Sequence, residues 1–183
     1  MTEKNFSCKV VLLGDGTVGK TSLRKTYLGE GFQQIYSLTI GADFAAKRVE
    51  IDNVRISANI WDLAGQDRFV QLRQTYYRGS SGAMLVFDVA RRESFEKLDL
   101  WIKELKHNTK GSEIPMILIG NKSDLRKTTP IEKQVSREEA EEYAKKLNGG
   151  AGSVVYIETS ALTGDKVETA FHALIEKIYR INS

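Results

Sequence analysis

The chain is poor in the residues that cross-link a fold or hold a structural metal, because it has one cysteine and two histidines among 183 residues. A single thiol, Cys8, excludes a disulfide within the chain and a cysteine-based zinc site. His107 and His172 are not spaced for a metal site either. A lone thiol inside an apolar run is most often inert core, and this composition suits a reducing compartment, so we expect a cytoplasmic protein.

Long apolar runs and an excess of one charge are also missing. No stretch approaches the roughly 18 apolar residues of a transmembrane helix, no signal peptide opens the chain, and Thr2 stands where N-myristoylation requires glycine. The net charge of +3 is spread among interleaved acidic residues, so we expect no nucleic-acid partner. With 41% hydrophobic residues, the chain has the size and composition of one domain covering residues 1–183, and we expect a monomer.

What the sequence does contain is a glycine-rich segment, residues 14–21, directly after an apolar run. It fits the pattern G-x-x-x-x-G-K-[ST] and consists of Gly14, Asp15, Gly16, Thr17, Val18, Gly19, Lys20 and Thr21. In such a loop the backbone N–H groups surround a β-phosphate, the lysine reaches the β- and γ-oxygens, and the final hydroxyl can hold Mg²⁺. The segment, which we call the phosphate loop, therefore predicts a site for a nucleotide and a magnesium ion.

Short apolar runs alternate with longer helical patterns, and this order is typical of a parallel α/β sheet with helices on both faces. Asp52 and Asn53 join two adjacent strands, so one of the six strands is expected to run antiparallel in a hairpin. Ser136 and Glu139 predict a capped helix start. The predicted strands lie near 7–13, 42–51, 54–61, 83–88, 115–120 and 154–158, and the predicted helices near 20–28, 92–108, 136–147 and 165–180.

Four polar segments each follow one of the predicted strands. The phosphate loop follows the first strand, residues 62–66 the third, residues 121–124 the fifth and residues 159–161 the sixth. In an open α/β sheet a ligand binds outside the carboxyl ends of the strands. We therefore expect these four loops to converge on one nucleotide site.

The residue types in these loops resemble those of the small GTPases of the Ras superfamily, and the resemblance covers nearly the whole chain. It implies the P-loop NTPase fold called the G domain, which binds GTP or GDP with Mg²⁺. A carboxylate that accepts from both N1–H and the 2-amino group of guanine rejects adenine, which lacks that pair of donors. The matching motifs, besides the phosphate loop, are Asp62-x-x-Gly65-Gln66, Asn121-Lys122-x-Asp124 and Ser160-Ala161.

The resemblance assigns roles at the guanine end of the site. Asp124 accepts from the base, Asn121 ties its loop to the phosphate loop, and the Lys122 stem packs on the base plane. The Ala161 N–H meets the guanine carbonyl. Phe32 matches an aromatic residue that lies edge-on against guanine, although a loop phenylalanine can equally serve local packing. The other residues that the resemblance places against the nucleotide are Ser22, Tyr36, Ser160 and Leu162, the last at a position where Ras relatives often carry lysine.

The resemblance also assigns the chemistry at the γ-phosphate, which is mostly positioning and charge stabilisation. Thr21 and Thr39 would ligate Mg²⁺, and Asp62 would hold the ion through water. Gln66 would orient the attacking water, and the Gly65 N–H would contact the γ-phosphate. The residues that the resemblance makes catalytic are Gln66, Lys20 and Gly65.

The expected rate of hydrolysis follows from the same resemblance. Gly16 leaves space where a side chain would crowd the catalytic glutamine, so the position is compatible with hydrolysis. No arginine in the sequence is an obvious candidate to stabilise the transition state in cis. We therefore expect slow intrinsic turnover and stimulation by a GTPase-activating protein, because an arginine supplied by a partner is worth about 10³–10⁵ in rate.

Several stretches, among them residues 40–44 and 76–79, resemble the Rab branch, which implies a role in vesicle and membrane trafficking. Phe44, Trp61 and Tyr76 match the aromatic triad through which Rabs bind effectors, although such residues can also merely cover the switch loops. An exchange factor is the third kind of partner implied. Bound GTP would order the loop around Thr39 and residues 65–77, and hydrolysis would release both.

The end of the chain differs from the Rab pattern. Residues 181–183 close the sequence without the terminal cysteines that Rabs use for prenylation. Either the chain was shortened, or this relative does not use that anchor. Membrane contact is therefore expected only through a tail absent from this chain, which would place the protein on the cytoplasmic face of a membrane.

Two other functions share part of this pattern. A P-loop phosphotransferase, such as a nucleotide kinase, would have the same phosphate loop, but it needs an acceptor pocket and an arginine-rich lid, and it leaves residues 121–124 without a role. A nucleotide-locked scaffold would bind GTP and barely hydrolyse it. Rates of GDP release and of hydrolysis distinguish these alternatives.

Overall fold

The structure is a computed structural model that describes residues 5–32, 39–147 and 152–183. In these ranges six strands form a sheet in the order β2-β3-β1-β4-β5-β6. The strands are β1 (Asn5–Leu13), β2 (Ala42–Ile51), β3 (Val54–Leu63), β4 (Gly82–Asp88), β5 (Met116–Asn121) and β6 (Val155–Glu158). The helices are α1 (Lys20–Leu28), α2 (Val70–Gln74), α3 (Arg92–Glu96), α4 (Leu98–Asn108), α5 (Arg137–Lys146) and α6 (Val167–Asn182).

The strand directions confirm the predicted sheet. β3, β1, β4, β5 and β6 are parallel, and β2 pairs antiparallel with β3. Asp52 and Asn53 connect β2 to β3 with φ values of 51° and 61°. Two consecutive residues with positive φ are what a tight two-residue hairpin turn requires, because its twist then matches that of the strands.

Two apolar cores lie on opposite faces of the sheet. Along β1, Val10 and Leu12 face the core formed with α1 and α6, and Val11 and Leu13 face the core formed with α3, α4 and α5. All seven residues of β4 are buried, as expected for a central parallel strand covered on both faces. The apolar side chains of α6 that recur at helical spacing, Val167, Ala170, Phe171, Leu174, Ile175 and Ile178, are buried in the first core. The predicted fold class is therefore confirmed.

The predicted helix start near residue 136 is also present. Ser136 caps α5, because its side chain accepts a hydrogen bond from the Glu139 N–H at 3.1 Å. The Glu139 carboxylate does not complete a reciprocal capping box, since it pairs with Arg92 at 2.7 Å.

The helical segments differ from the prediction at two places. The predicted helix near 92–108 is divided into α3 and α4 at Lys97, whose φ is −84° and ψ −2°. The helical turns of residues 67–74 were not predicted, because most of their side chains are exposed and show no apolar period. Among the described helices, none has both the length and the apolar character needed to cross a bilayer.

Candidate nucleotide site

The phosphate loop joins β1 to α1 in a conformation that depends on its glycines. Gly14 has φ +143°, and a Cβ there would collide with the Val86 carbonyl of β4. Gly19 has φ +99°, and a Cβ there would collide with the Asn121 side-chain amide. The loop is therefore packed directly between neighbouring strands, with its backbone at the surface of the cavity.

Lys20 lies across this loop and is almost completely buried. Its Nζ donates to the Gly14 carbonyl at 2.6 Å and to the Asp15 carbonyl at 2.9 Å. Burial lowers the pKa of Lys20 to about 8, and the nearby guanidinium groups of Arg73 and Arg91 act in the same direction, whereas the carboxylates of Asp62 and Asp15 raise it. A polyphosphate at this position would offset the cost of burying the ammonium group.

Three oxygens that could hold a metal ion meet beside the phosphate loop. Thr21 Oγ1 donates to Asp62 Oδ2, lies 3.2 Å from Thr39 Oγ1, and Thr39 Oγ1 is 3.4 Å from the same Asp62 oxygen. Asp62 Oδ1 is buried and has no hydrogen-bond partner among the described residues. Burial raises the pKa of Asp62, although the Lys20 charge opposes this. Hard oxygen donors, one of them a buried carboxylate oxygen without a hydrogen-bond partner among the described residues, are suitable ligands for Mg²⁺.

The end of the site where guanine is predicted to bind is built by the loops after β5 and β6. Asn121 Nδ2 donates to the Val18 carbonyl at 2.9 Å, so this side chain connects the β5 loop to the phosphate loop, as predicted. Ser160 Oγ donates to Asp124 Oδ1 at 2.5 Å and fixes the carboxylate. The Ala161 N–H, predicted to meet the base, donates in this structure to Asn121 Oδ1 at 3.2 Å. Lys122 Nζ pairs with Asp88 Oδ2 at 2.7 Å.

One cavity of about 450 Å³ connects these groups. A volume of this size suits a small-molecule ligand. Its lining includes predicted residues from every loop, namely Gly16, Thr17, Gly19, Lys20, Thr21, Ser22, Phe32, Thr39, Asp62, Gly65, Gln66, Asn121, Lys122, Asp124, Ala161 and Leu162. Lys25, Leu63 and Leu125 also line it, and the sequence patterns did not mark them as site residues.

Several predicted residues do not line the cavity with their side chains. Asp15 points toward α4, where its carboxylate accepts from Trp101 Nε1 at 3.0 Å and lies 3.3 Å from Lys97 Nζ. Val18 is buried in the core, and Ser160 acts through Asp124. Tyr36 lies outside the described residues.

The segment after β3 lies against the phosphate loop. A Cβ at Gly65 would lie 2.5 Å from the Gly16 nitrogen and 2.6 Å from the Gly14 carbonyl oxygen, so only glycine fits there. The Gln66 Cγ is 3.3 Å from the position of a Cβ at Gly16. This proximity agrees with the prediction that a side chain at Gly16 would crowd Gln66.

The three aromatic residues that resemble the Rab triad form one continuous stack. The rings of Phe44 and Trp61 are 4.9 Å apart and nearly parallel, and those of Trp61 and Tyr76 are 5.4 Å apart. Phe44 is 58% exposed although it is a large apolar side chain. Trp61 and Tyr76 are half-buried, so β2, β3 and the segment after α2 share one partly exposed aromatic patch, Phe44–Trp61–Tyr76.

The sequence patterns did not indicate the side chains that lie between the phosphate loop and α4 and support the site. Arg73, Trp101 and Glu104 pack together between the phosphate loop and α4. Only the i, i+3 spacing of Trp101 and Glu104 was visible in the sequence, and it places them on one helix face without showing what they contact.

Comparisons with known proteins agree with this geometry. The model of the Ras family matches residues 9–180. The chain is 42% identical over 179 residues to the Ras-related protein RABA1b of Arabidopsis thaliana, and the match covers 98% of this chain and 78% of that protein. These matches run through the phosphate loop, both guanine loops and the aromatic patch, and the chain therefore belongs to the Ras family of small GTPases, with a Rab-like sequence.

Proposed function

We propose that this small GTPase is a timed switch in membrane trafficking, which binds GTP with Mg²⁺, hydrolyses it slowly without a partner, and presents the aromatic patch to effectors while GTP is bound. The observation that carries the proposal is the meeting, in one cavity, of Lys20, the Asp124 carboxylate and the three oxygens of Thr21, Thr39 and Asp62. Family membership supplies the reaction, and these residues supply its geometry.

Specificity for guanine rests on Asp124. Ser160 holds one carboxylate oxygen at 2.5 Å, so the group is oriented before the base arrives. Adenine would leave this carboxylate without hydrogen-bond donors. An unpaired buried acceptor weakens binding by more than the missing hydrogen bond alone would. The chain thus discriminates GTP from ATP at the edge of the base.

Hydrolysis depends on how the protein positions groups around the γ-phosphate. Thr21, Thr39 and Asp62 would hold Mg²⁺, which when bound neutralises charge that develops on the phosphate oxygens. Gly65 offers its N–H, and Gln66 orients the attacking water. Arg91 donates to the Gly16 carbonyl at 2.9 Å rather than toward the cavity. We therefore expect a GTPase-activating protein to accelerate the reaction.

The switch is the ordering of two segments by GTP. Thr39 lies within 3.4 Å of both Thr21 and Asp62, so the residues that would hold Mg²⁺ include one from this loop, and Thr39 would keep its loop on the site while the ion is bound. Leu72 and Tyr76 pack over Gly41. The two segments are thus in contact, and releasing one loosens the other and with it the aromatic patch.

The nucleotide itself is the direct test of binding and turnover. The purified protein is denatured, and the released nucleotide is identified by chromatography. We expect GDP or GTP, retained with Mg²⁺ and lost on chelation. Single-turnover hydrolysis should be slow and should rise by orders of magnitude with a GTPase-activating protein that acts on Rabs. Release of ATP, or many turnovers per second by the protein alone, would contradict the proposal.

Trp61 can report the switch without a known effector. The chain has two tryptophans, and Trp101 contacts Asp15 of the phosphate loop, so Trp101 is kept and Trp61→Phe identifies the part of the emission that comes from Trp61. We expect the emission of Trp61 to differ between GDP and a non-hydrolysable GTP analogue, and Thr39→Ala to remove the difference while GDP binding persists. Thr128→Ala, an exposed threonine, is the control. An unchanged difference in Thr39→Ala would exclude Thr39 as the trigger.

A further inference from the structure

A buried arginine lies behind the segment that carries Gly65 and Gln66. Arg73, on α2, is 2% exposed. Its guanidinium forms a two-point pair with Glu104 of α4, Nε to Oε1 and Nη2 to Oε2, both at 2.7 Å. Tyr77 Oη donates to Glu104 Oε1 at 2.8 Å, and the guanidinium lies 4.4 Å from the centre of the Trp101 ring. Two side chains of α4 therefore hold the guanidinium group, Glu104 by hydrogen bonds along its edge and Trp101 by contact with its face.

The remaining nitrogen of Arg73 reaches the backbone on both sides of Gly65. Nη1 donates to the Ala64 carbonyl at 3.2 Å and to the Gln66 carbonyl at 2.8 Å. These carbonyls belong to the residues that flank Gly65. Their positions therefore fix the direction of the Gly65 N–H and the point from which the Gln66 side chain starts.

Arg73 is also the main attachment of its segment. Residues 66–76, all of which the structure describes, include one buried side chain, that of Arg73. α2 has five residues, too few to be a stable helix without tertiary contacts. A buried ion pair adds little net stability, because desolvation offsets the attraction, whereas its two-point geometry is strict. The pair therefore determines where the segment lies more than how stable the fold is.

The same helix holds the phosphate loop. Trp101 Nε1 donates to Asp15 Oδ1 at 3.0 Å, while the ring of Trp101 lies under Arg73. One face of α4 thus contacts both the phosphate loop and, through Glu104 and Arg73, the backbone beside Gly65. This helix therefore sets the distance between the phosphate loop and the backbone beside Gly65, which must both lie at the γ-phosphate.

We propose that Arg73 is a positioning residue for GTP hydrolysis, which with Glu104 holds the backbone of residues 64–66 on α4 where Gly65 and Gln66 act on the γ-phosphate. The inference rests on the proposed hydrolysis of GTP by this site. Arg73 does not itself contact the phosphate, since its donors serve a carboxylate and two carbonyls.

The test is single-turnover GTP hydrolysis by Arg73→Ala. We expect a decrease of about 10²-fold, because a misplacement of about 1 Å costs roughly that much. GDP dissociation should stay within about twofold of wild type, since the guanine and β-phosphate contacts come from other loops. Arg73→Lys should be nearly as slow, because an ammonium group cannot make the two-point pair and both carbonyl bonds.

Arg92→Ala is the matched control. Arg92 makes the same kind of two-point pair, with Glu139 at 2.7 and 2.9 Å, and also donates to one carbonyl, that of Gln134. It belongs to neither the nucleotide cavity nor the segment after β3. We expect Arg92→Ala to hydrolyse GTP at the wild-type rate. If Arg73→Ala does not fold, Glu104→Gln, which keeps the shape of the pair, is expected to slow hydrolysis about tenfold.

The outcomes separate this inference from the proposed function. Hydrolysis by folded Arg73→Ala or Glu104→Gln at the wild-type rate would overturn the inference. An increase in the rate of GDP dissociation as large as the decrease in the rate of hydrolysis would also overturn it, because the pair would then support the whole site. If wild type releases no phosphate, the proposed hydrolysis fails. Hydrogen exchange of amides 64–66 with a GTP analogue bound then decides, because the inference requires faster exchange in Arg73→Ala than in Arg92→Ala.

Discussion

The two ends of the nucleotide cavity are supported by the same kind of side-chain cluster. At the γ-phosphate end, Arg73 pairs with Glu104, and Tyr77 donates to the same carboxylate. At the guanine end, Arg126 pairs with Glu158 at 2.9 and 2.6 Å, and Tyr156 Oη donates to Glu158 at 3.0 Å. We call them the γ cluster and the guanine cluster. Burial raises the pKa of both tyrosines, so both remain donors.

The clusters differ in what they attach. The third nitrogen of Arg126 binds a side chain, Gln134 Oε1 at 3.0 Å, and Glu158 ends a strand of the sheet. The guanine loops are therefore already fixed by β5 and β6, and the cluster only secures them. In the γ cluster, Arg73 binds backbone carbonyls of a segment that leaves the sheet at residue 63. The same contacts thus serve a recognition end that the sheet already fixes and a chemical end that moves in the proposed switch.

The largest expected effect is at the guanine end, with Asp124→Asn. Replacing one carboxylate oxygen by an amide donor turns an attraction for the guanine donors into a repulsion. We expect GDP affinity to fall by about 10³-fold or more, and the preference for GDP over ADP to fall with it. Calorimetric titration measures both. Glu132→Gln, an exposed carboxylate, is the control, and a surviving guanine preference in Asp124→Asn would contradict the assignment.

Gln66→Leu should affect the other end alone. Leucine nearly preserves the volume but cannot orient water, so we expect hydrolysis stimulated by a GTPase-activating protein to fall by about 10²-fold or more. GDP affinity should not change. Gln71→Leu, exposed in the same segment, should keep the wild-type rate in a single-turnover assay. If Gln66→Leu weakens GDP binding instead, the two ends are not separable.

Arg126→Ala sharpens the contrast between the clusters. It leaves Glu158 buried without its main partner, so the guanine loops should loosen and GDP release should accelerate by about tenfold. The rate of the hydrolysis step in the bound complex should stay the same, unlike in Arg73→Ala. Arg137→Ala is the control, because Arg137 lies 3.8 Å from the same carboxylate and is 51% exposed. Stopped-flow release of a fluorescent GDP measures the difference.

The smallest effect is the acid sensitivity of the guanine cluster. Burial alone would raise the pKa of Glu158, but its hydrogen bonds and the charge of Arg126 lower it below the usual 4.5. A carboxyl with a lowered folded-state pKa contributes stability above the unfolded pKa and loses it as pH falls through the folded value. The free energy of unfolding, measured from pH 6 to about pH 3, should therefore fall less steeply with decreasing pH in Glu158→Gln than in the wild type. An equal slope in both proteins would mean that protonation of Glu158 does not cause the loss of stability.

Local patterns predicted much of this molecule because they act over short distances in the chain. The positive φ of Asp52 and Asn53 and the cap at Ser136 each depend on neighbours within a few residues. The strand ends predicted which loops converge, since parallel strands share one carboxyl edge. The break at Lys97 was not predictable in this way, because one continuous helix would satisfy the same apolar spacing over residues 92–108.

The sequence by itself determined the phosphate loop, the guanine motif and the sheet that brings them to one edge. Glycine and lysine at fixed spacing and the apolar periodicity determine the backbone conformation of neighbouring residues, so these features can be predicted from short segments. Only the tertiary structure decided that Arg73 lies behind Gly65 and that Trp101 spans from Asp15 to that arginine. Arg73 and Glu104 are 31 positions apart in the chain, and Asp15 and Trp101 are 86 apart. Their contacts exist only because the phosphate loop, α2 and α4, which are distant in the chain, pack against one another in the fold.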